Sequence, residues 1–275
     1  MLEEKFIPLA RAAVLRAEKS LWKYFGVPRE ELQAVTKKDG TVCTVADLES
    51  EKAIREEIAT WEGKYSFYGE ELGGEKSAPY TILIDPLDGT SNYYRGRVDF
   101  SICVALAKND GGGSHVIAVL TYEPATKRIW TAMKGQGAYL ESSGKSIRVC
   151  VSTLPPSKGD ICYDAYTNRG FALASEEQKA GILRAAILKY RKIRLLGSNV
   201  LAHALVASGN FEAAVTDAVG GPFDIAGILL VKEAGGKATN LSLTEVDVWK
   251  DSVVVSSNGI QHEELVRTLA PLYRS

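Results

Sequence analysis

Two aspartates stand three residues apart in Ile84-Asp85-Pro86-Leu87-Asp88-Gly89-Thr90, where an apolar run ends. Pro86 stiffens the turn, and Gly89 permits a close backbone approach. If Thr90 opens a helix, its free N–H groups face the same spot. Oxygen ligands beside an open helix N-terminus suit a hard cation together with a phosphate. Taken alone, Asp-x-x-Asp also reads as a strand-to-turn junction with Asp as a cap. Further acids add weight to the first reading. Glu70 and Glu71 follow Tyr68-Gly69 at the end of the preceding strand pattern. Loops of neighbouring strands can converge, and carboxylates packed together repel unless cations separate them. Asp224, in Gly221-Pro222-Phe223-Asp224-Ile225-Ala226-Gly227, opens an apolar stretch. There it is either a dipole-favoured cap or a metal ligand. Asp47 has the same double reading in Thr44-x-x-Asp47.

Such a set can hydrolyse a phosphate monoester, which carries about two negative charges near neutral pH. Two cations roughly 4 Å apart clamp the attacking and leaving oxygens of an in-line displacement, and one acidifies its water. No side-chain nucleophile is then needed. That matches histidines only at 115, 203 and 262, and cysteines at 43, 103, 150 and 162 in no zinc spacing. Magnesium prefers oxygen ligands, so Asp and Glu without His or Cys is the expected donor set.

The elements that must carry these residues alternate in period. Phe6, Leu9, Ala10, Ala13, Val14, Ala17, Leu21 and Phe25 predict a helix ended by Pro28. A second helix begins at Thr44 in a capping box, with Val45, Leu48, Ile54, Ile58 and Trp61 as its apolar positions. Strand patterns then cover 66–69, 80–84, 100–107, 115–122, 127–133, 135–140 and 147–151, a largely antiparallel meander with a hairpin at Asp110-Gly111-Gly112-Gly113. Ser175-x-x-Gln178 starts a helix to 190. Strands are expected at 192–196, 211–216 and 253–255, and helices at 198–207, 222–234 and 261–272. This predicts a layered α/β (α+β) fold of helices and mostly antiparallel sheets. We read residues 1–275 as a single domain, with two lobes meeting near 145–155.

Hydrophobic residues make up 45% and charged residues 24% of the 275 positions, the mix of a globular chain. Net charge is −1, which gives no global pull toward nucleic acid or anionic lipid. Tryptophans and tyrosines show no basic interleaving of the nucleic-acid kind. No apolar run approaches the ~20 residues of a membrane span. The charged N-terminus lacks a signal core, and a cytoplasmic protein is expected. Cys103 and Cys150 fall in strand patterns and are expected to be buried. Lys37-Lys38 and Asn168-Arg169-Gly170 read as polar turns, with anion contact as the alternative.

Gly69-Glu70-Glu71, Asp85-Pro86-Leu87-Asp88-Gly89-Thr90 and Phe223-Asp224-Ile225-Ala226-Gly227 closely resemble the inositol monophosphatase family. That family belongs to the lithium-sensitive, magnesium-dependent phosphatases, which include fructose-bisphosphatases. The resemblance covers nearly the whole chain, with Gly135-Gln136-Gly137-Ala138-Tyr139 and Gly197-Ser198 also in place. It implies Glu70, Asp85 and the Leu87 carbonyl as ligands of a first Mg2+. Asp85, Asp88 and Asp224 would hold a second, and Glu70 would touch a third. Asp47 and Thr90 would orient the attacking water, with Glu70 counted among the catalytic residues. Gly89 and Thr90 N–H groups would cradle the phosphate. Asp88, Ser198, Asn199, Asp217 and Asp224 would line the leaving-group pocket. The resemblance further implies a homodimer and lithium inhibition.

Three positions depart from the inositol enzymes. Phe223 stands where Trp is common, Asp217 where Glu is common, and Asn199 where Ala is common. All three fall on the leaving-group side. The expected activity is Mg2+-dependent hydrolysis of a small polyol or sugar phosphate, inositol monophosphate first. A fructose-1,6-bisphosphatase or dual-activity enzyme is the alternative, with histidinol and nucleotide phosphates also open. A regulatory or binding protein on the same fold is the reading from a different class. A simple divalent-ion binder ranks last, because the acids come from distant segments and form no EF-hand loop.

Overall fold

The computed structural model describes residues 2–38, 40–110, 113–163, 175–217 and 221–273. The first half runs α1 (Leu2–Tyr24), β1 (Val35–Thr36), β2 (Val42–Cys43), α2 (Val45–Ile58), β3 (Tyr65–Gly69), β4 (Gly73–Gly74), β5 (Tyr80–Asp88), α3 (Thr90–Tyr94), β6 (Ser101–Asp110), β7 (Gly113–Glu123), β8 (Arg128–Met133), β9 (Gly137–Ser142) and β10 (Lys145–Arg148). The second runs β11 (Asp160–Tyr163), α4 (Glu176–Lys189), β12 (Lys192–Arg194), α5 (Asn199–Ala207), β13 (Ala213–Asp217), α6 (Ile228–Glu233), β14 (Lys237–Asn240), β15 (Val253–Ser257) and α7 (His262–Leu269).

An eight-stranded sheet has the order β10-β9-β8-β7-β6-β5-β3-β4, and a five-stranded sheet the order β12-β11-β13-β15-β14. Most pairings are antiparallel. β3 lies parallel to β5, and β11 lies parallel to both β12 and β13. Strand alternation builds the layers. Ile82, Ile84, Ile102, Val104 and Leu106 face α1 and α2. Leu83, Cys103, Ala105 and Ala107 point the other way, into a core shared with α5 and α6. Ala214 and Val254 of the second sheet enter that same core, while Ala213, Val215, Val253 and Val255 pack on α4 and α7. The stack is therefore helices, sheet, helices, sheet, helices. Both sheets are covered on both faces, which is why their strands read as nearly continuous apolar runs.

Several expectations are corrected. α1 stops at Tyr24, and Pro28 instead leads a 3-10 turn at Arg29–Leu32. On α2 the buried face is Ala46, Asp47, Ser50, Glu51, Ile54 and Ile58, while Leu48 is exposed. The helix expected over 222–234 begins only at Ile228, because Asp224, Ala226 and Ile228 donate to carbonyls three residues back in tight turns. The last helix changes to 3-10 at Ala270–Tyr273, where Pro271 has no N–H to continue the ladder. The short strands β1, β2, β4, β11 and β14 went unpredicted. Cys103 is buried, but Cys150 is exposed, since β10 ends at Arg148 and leaves it outside the ladder. The hairpin is present, with Asp110 opposite Gly113. Residues 111–112 and the loop at Asn168-Arg169-Gly170 lie outside the described residues.

His203 is wholly buried on α5, within hydrogen-bond distance of Ser256 Oγ at 2.9 Å and Thr216 Oγ1 at 3.2 Å. Burial lowers its pKa to about 4, and burial followed by Lys237 does the same to His262. Both stay neutral when folded and charge readily when unfolded. Their contribution is complete above the ordinary value near 6.5 and is lost as pH falls toward 4. Urea midpoints are expected to fall over that window, less steeply for His203→Gln. Identical slopes in the variant and the parent chain would remove this account.

Candidate active site

The Asp85–Asp88 pair depends on a bulge. Asp85 pairs with Cys103 and Asp88 with Ser101, so three steps on β5 oppose two on β6. In a regular strand, residues three apart face opposite sides. One extra residue restores the parity and turns both carboxylates toward the core between the sheets. Pro86, which has no N–H for the ladder, sits within the bulge, a position proline tolerates. Asp224 arrives from the tight turns before α6. One carboxylate oxygen from each of Asp85, Asp88 and Asp224 lies within 4.8 Å of the others, and all three residues are buried.

Glu70 reaches the site because β3 and β5 are parallel neighbours and their carboxyl ends coincide. Gly69 pairs with Ile84, and Glu70 N–H donates to the Ile84 carbonyl at 3.1 Å. Lys37 Nζ lies 2.9 Å from Glu70 Oε1 and 2.6 Å from Glu71 Oε1. Lys37 is thus a counter-ion inside the acidic centre rather than a solvated turn residue. Burial lowers its pKa, but the two glutamates outweigh that and hold the ammonium charged. Burial raises Glu70 to about 8, with Lys37 opposing and Glu71 and Asp224 adding. Burial and then the charges of Glu70, Asp88 and Asp224 push Asp85 well above the ordinary carboxylate range.

Asp88 has a second task. Its carboxylate accepts the backbone N–H groups of Asn199 at 3.0 Å, Val200 at 2.9 Å and Leu201 at 3.3 Å, together with Ser101 Oγ at 3.0 Å and Ser198 Oγ. Ser198, at the N-cap, makes no side-chain cap bond of its own. An acid 110 residues away therefore caps α5 and brings Ser198 and Asn199 to the site. Asn92 Nδ2 fastens the same segment by donating to the carbonyls of Leu196 at 2.8 Å and Asp99 at 2.7 Å.

The face of α2 supplies the rest. Thr44 and Asp47 form the expected capping box, with Thr44 N–H and Oγ1 donating to Asp47 Oδ2 at 2.8 and 2.6 Å. Asp47 Oδ1 lies 2.9 Å from Thr90 Oγ1, which is also 2.9 Å from the Leu87 carbonyl. Ser50 donates to the Pro86 carbonyl at 2.8 Å, and Glu51 turns toward the loop after β3. Burial raises Asp47 to about 7, against the hydrogen bonds from Thr44 and Thr90. Gly89 caps α3 at φ +92°, and a Cβ there would stand 2.9 Å from the Asp99 carbonyl and 3.0 Å from that of Gly197. Only glycine fits.

Asp47, Asp85, Leu87, Asp88, Gly89, Thr90, Ser198, Asn199 and Asp224 are thus gathered at one locus, with Glu70 beside it. Asp217 ends β13 opposite Val253, and its side chain lies outside the described atoms. Ser50, Glu51 and Asn92 were not anticipated. Ser50 and Glu51 could have been found from the 47, 50, 51, 54, 58 spacing, which puts three polar residues on the buried face.

All-oxygen donors, mutually repelling and buried, are the chemistry of a hard divalent cation site. Fold and centre together define a layered α/β protein with an acidic, cation-suited active site. The chain belongs to the inositol monophosphatase family, whose model matches residues 2–272. Family members are phosphoric monoester hydrolases that use divalent metal ions. An inositol-1-monophosphatase of Caulobacter vibrioides is 28% identical over 262 residues, covering 94% of this chain and 98% of that protein. A Thermotoga maritima protein named fructose-1,6-bisphosphatase/inositol-1-monophosphatase is 32% identical over 86% of each chain. The solved structure of the extragenic suppressor protein suhB from Bartonella henselae superposes with TM-score 0.85 at 26% identity, covering 96% of this chain and 98% of that one.

Proposed function

We propose that the protein releases phosphate from a small polyol or sugar phosphate, inositol monophosphate first, with two or three Mg2+ per site. The observation that carries this is the buried Asp85–Asp88–Asp224 trio beside the bonded Thr90–Asp47 pair. Glu70, Asp85, the Leu87 carbonyl, Asp88 and Asp224 would hold the cations. Once bound, these would neutralise the phosphoryl oxygens and acidify the attacking water. The chain's own residues then move the proton. Thr90 Oγ1 donates to Asp47 Oδ1, which leaves its lone pairs to accept from a water. As Thr90 takes the water's proton, its own passes to Asp47, poised near neutrality by burial. The first N–H groups of α3 lack helical acceptors, and Gly89 and Thr90 offer theirs to the phosphate.

On the leaving-group side, the Ser198 hydroxyl is committed to Asp88. The buried Asn199 carboxamide has no protein hydrogen-bond partner among the described residues and can meet a substrate hydroxyl. The dual-named Thermotoga relative favours fructose bisphosphate as the second reading. We further infer a single functional domain, since one core draws on both sheets. A cytoplasmic setting suits the four free cysteines. Exposed Ile187, Leu188 and Leu195 offer apolar surface for the homodimer, which sedimentation would test. Lithium inhibition goes with the same reading.

The deciding experiment is phosphate release with and without Mg2+ on inositol monophosphate, fructose bisphosphate, histidinol phosphate and a nucleotide phosphate. Mg2+-dependent turnover is expected, and the kcat/KM order names the substrate class. Mg2+ binding with no turnover on any member would favour the binding-protein reading.

A further inference from the structure

Glu51 lies one turn after Asp47 on α2 and is fully buried. Its Oε2 accepts the backbone N–H groups of Glu71 at 2.8 Å and Leu72 at 3.2 Å. Its Oε1 accepts Arg55 Nε at 2.8 Å, one turn further along the helix. Arg55 in turn donates to the Gly73 carbonyl. Gly69 completes the fit, because a Cβ there would stand 1.9 Å from Glu51 Oε1. One side chain, with its arginine, thus touches positions 69, 71, 72 and 73, on both sides of Glu70.

A buried carboxylate is tolerated only when hydrogen-bonded and paired, and here both conditions are met within the loop it serves. A turn of this kind ordinarily lies free on the surface. This one is tied to the helix that also carries Asp47 and Ser50. Lys37 grips the side chains of Glu70 and Glu71 as well. Glu51 bonds backbone and Arg55, and among the described residues no hydrogen bond or ion pair joins it to Asp85, Asp88 or Asp224. Anything it does for the acidic centre passes through Glu70.

We propose that Glu51 is a positioning residue for the cation centre: it fixes the backbone on both sides of Glu70, so that this carboxylate stands ready beside Asp85 before any cation arrives. The inference rests on the cation reading given above. It assigns α2 a role across the whole site, with Asp47 set toward the water, Ser50 toward the β5 bulge and Glu51 toward the Glu70 loop. A purely structural Glu51 would lower stability without changing cation affinity in the folded protein.

Two measurements test this without substrate. In metal-free parent chain, amide exchange at Glu71 and Leu72 is expected to be at least about tenfold slower than at exposed Lys76 and Ser77, because the acceptor is Glu51 and not a cation. Equal exchange overturns the proposal, and this arm needs no variant. In calorimetric titration with MgCl2 alone, Glu51→Gln is expected to bind about tenfold more weakly or worse, with circular dichroism unchanged. Arg55→Gln, at a partly exposed position, is expected to bind Mg2+ more weakly in the same sense and serves if Glu51→Gln does not fold. Equal Mg2+ affinity in folded variants and parent overturns the positioning role and leaves the phosphatase reading standing. A parent chain that takes up no Mg2+ overturns both.

Discussion

Asp85→Asn is expected to lower Mg2+-dependent kcat/KM by about a thousandfold or more, with the fold intact. Metal charge stabilisation is worth several kcal/mol, and each ~1.4 kcal/mol is a factor of ten. In the proposed site Asp85 serves both principal cations, so its loss affects both. The fold should survive for an electrostatic reason. Burial and three neighbouring carboxylates already hold Asp85 well above its ordinary pKa in the cation-free chain. The neutral acid and the neutral amide differ little in shape, and Asn can still accept the Leu87 N–H now 3.2 Å from Asp85 Oδ1. Mg2+ uptake by the parent chain should release protons and tighten as pH rises, since the carboxyl must ionise to become a ligand. The variant should show a smaller release. Calorimetry in two buffers of different ionisation enthalpy measures that difference. Near-normal Mg2+-dependent turnover in Asp85→Asn would refute the bridging assignment.

Local chemistry explains what the sequence made legible. The capping boxes at Thr44 and Ser175 and the apolar stripe of α1 are written within a few residues, and the structure has them where they were expected. The antiparallel run from β6 to β10 was legible because each strand follows the last through a short turn. Parity was not. Nothing local says that the Pro86–Leu87 step is a bulge, yet without it Asp85 and Asp88 would face opposite sides of the sheet. The Asp88 cap on α5 is equally invisible, since its partners begin 110 residues away. Lys37 shows the same limit. Its neighbours in sequence make it a turn residue, while its neighbours in space are Glu70 and Glu71. On α2, apolar type drew attention to Leu48, but the buried face carries the polar Asp47, Ser50 and Glu51 because it meets the site. Motif order along the chain located the acids. Which oxygens meet, and what holds them, depended on pairing between distant strands.

Thr90→Ala should separate proton handling from cation binding. Its hydroxyl bonds Asp47 and the Leu87 carbonyl, and no carboxylate of the trio. Mg2+ affinity, read by calorimetry, should therefore stay close to that of the parent chain. Turnover should not, because removing a positioned acid–base group typically costs about a hundredfold or more in kcat. Thr90→Ser keeps the oxygen and should retain most activity, which tells chemistry from packing. Asp47→Asn should resemble Thr90→Ala, and the double variant should be little worse than either, since the two act as one relay. The pH profile gives a further check. Asp47 is raised to about 7 by burial, and a carboxyl that is already protonated cannot take the proton from Thr90, so activity should fall as pH drops through that value. Bound cations favour the ionised form, so in the loaded enzyme the acid limb should lie at or below about pH 7. In Asp47→Asn the limb should disappear. Losses that multiply across the double variant, or an unchanged acid limb in Asp47→Asn, would show that the proton leaves the water by another route.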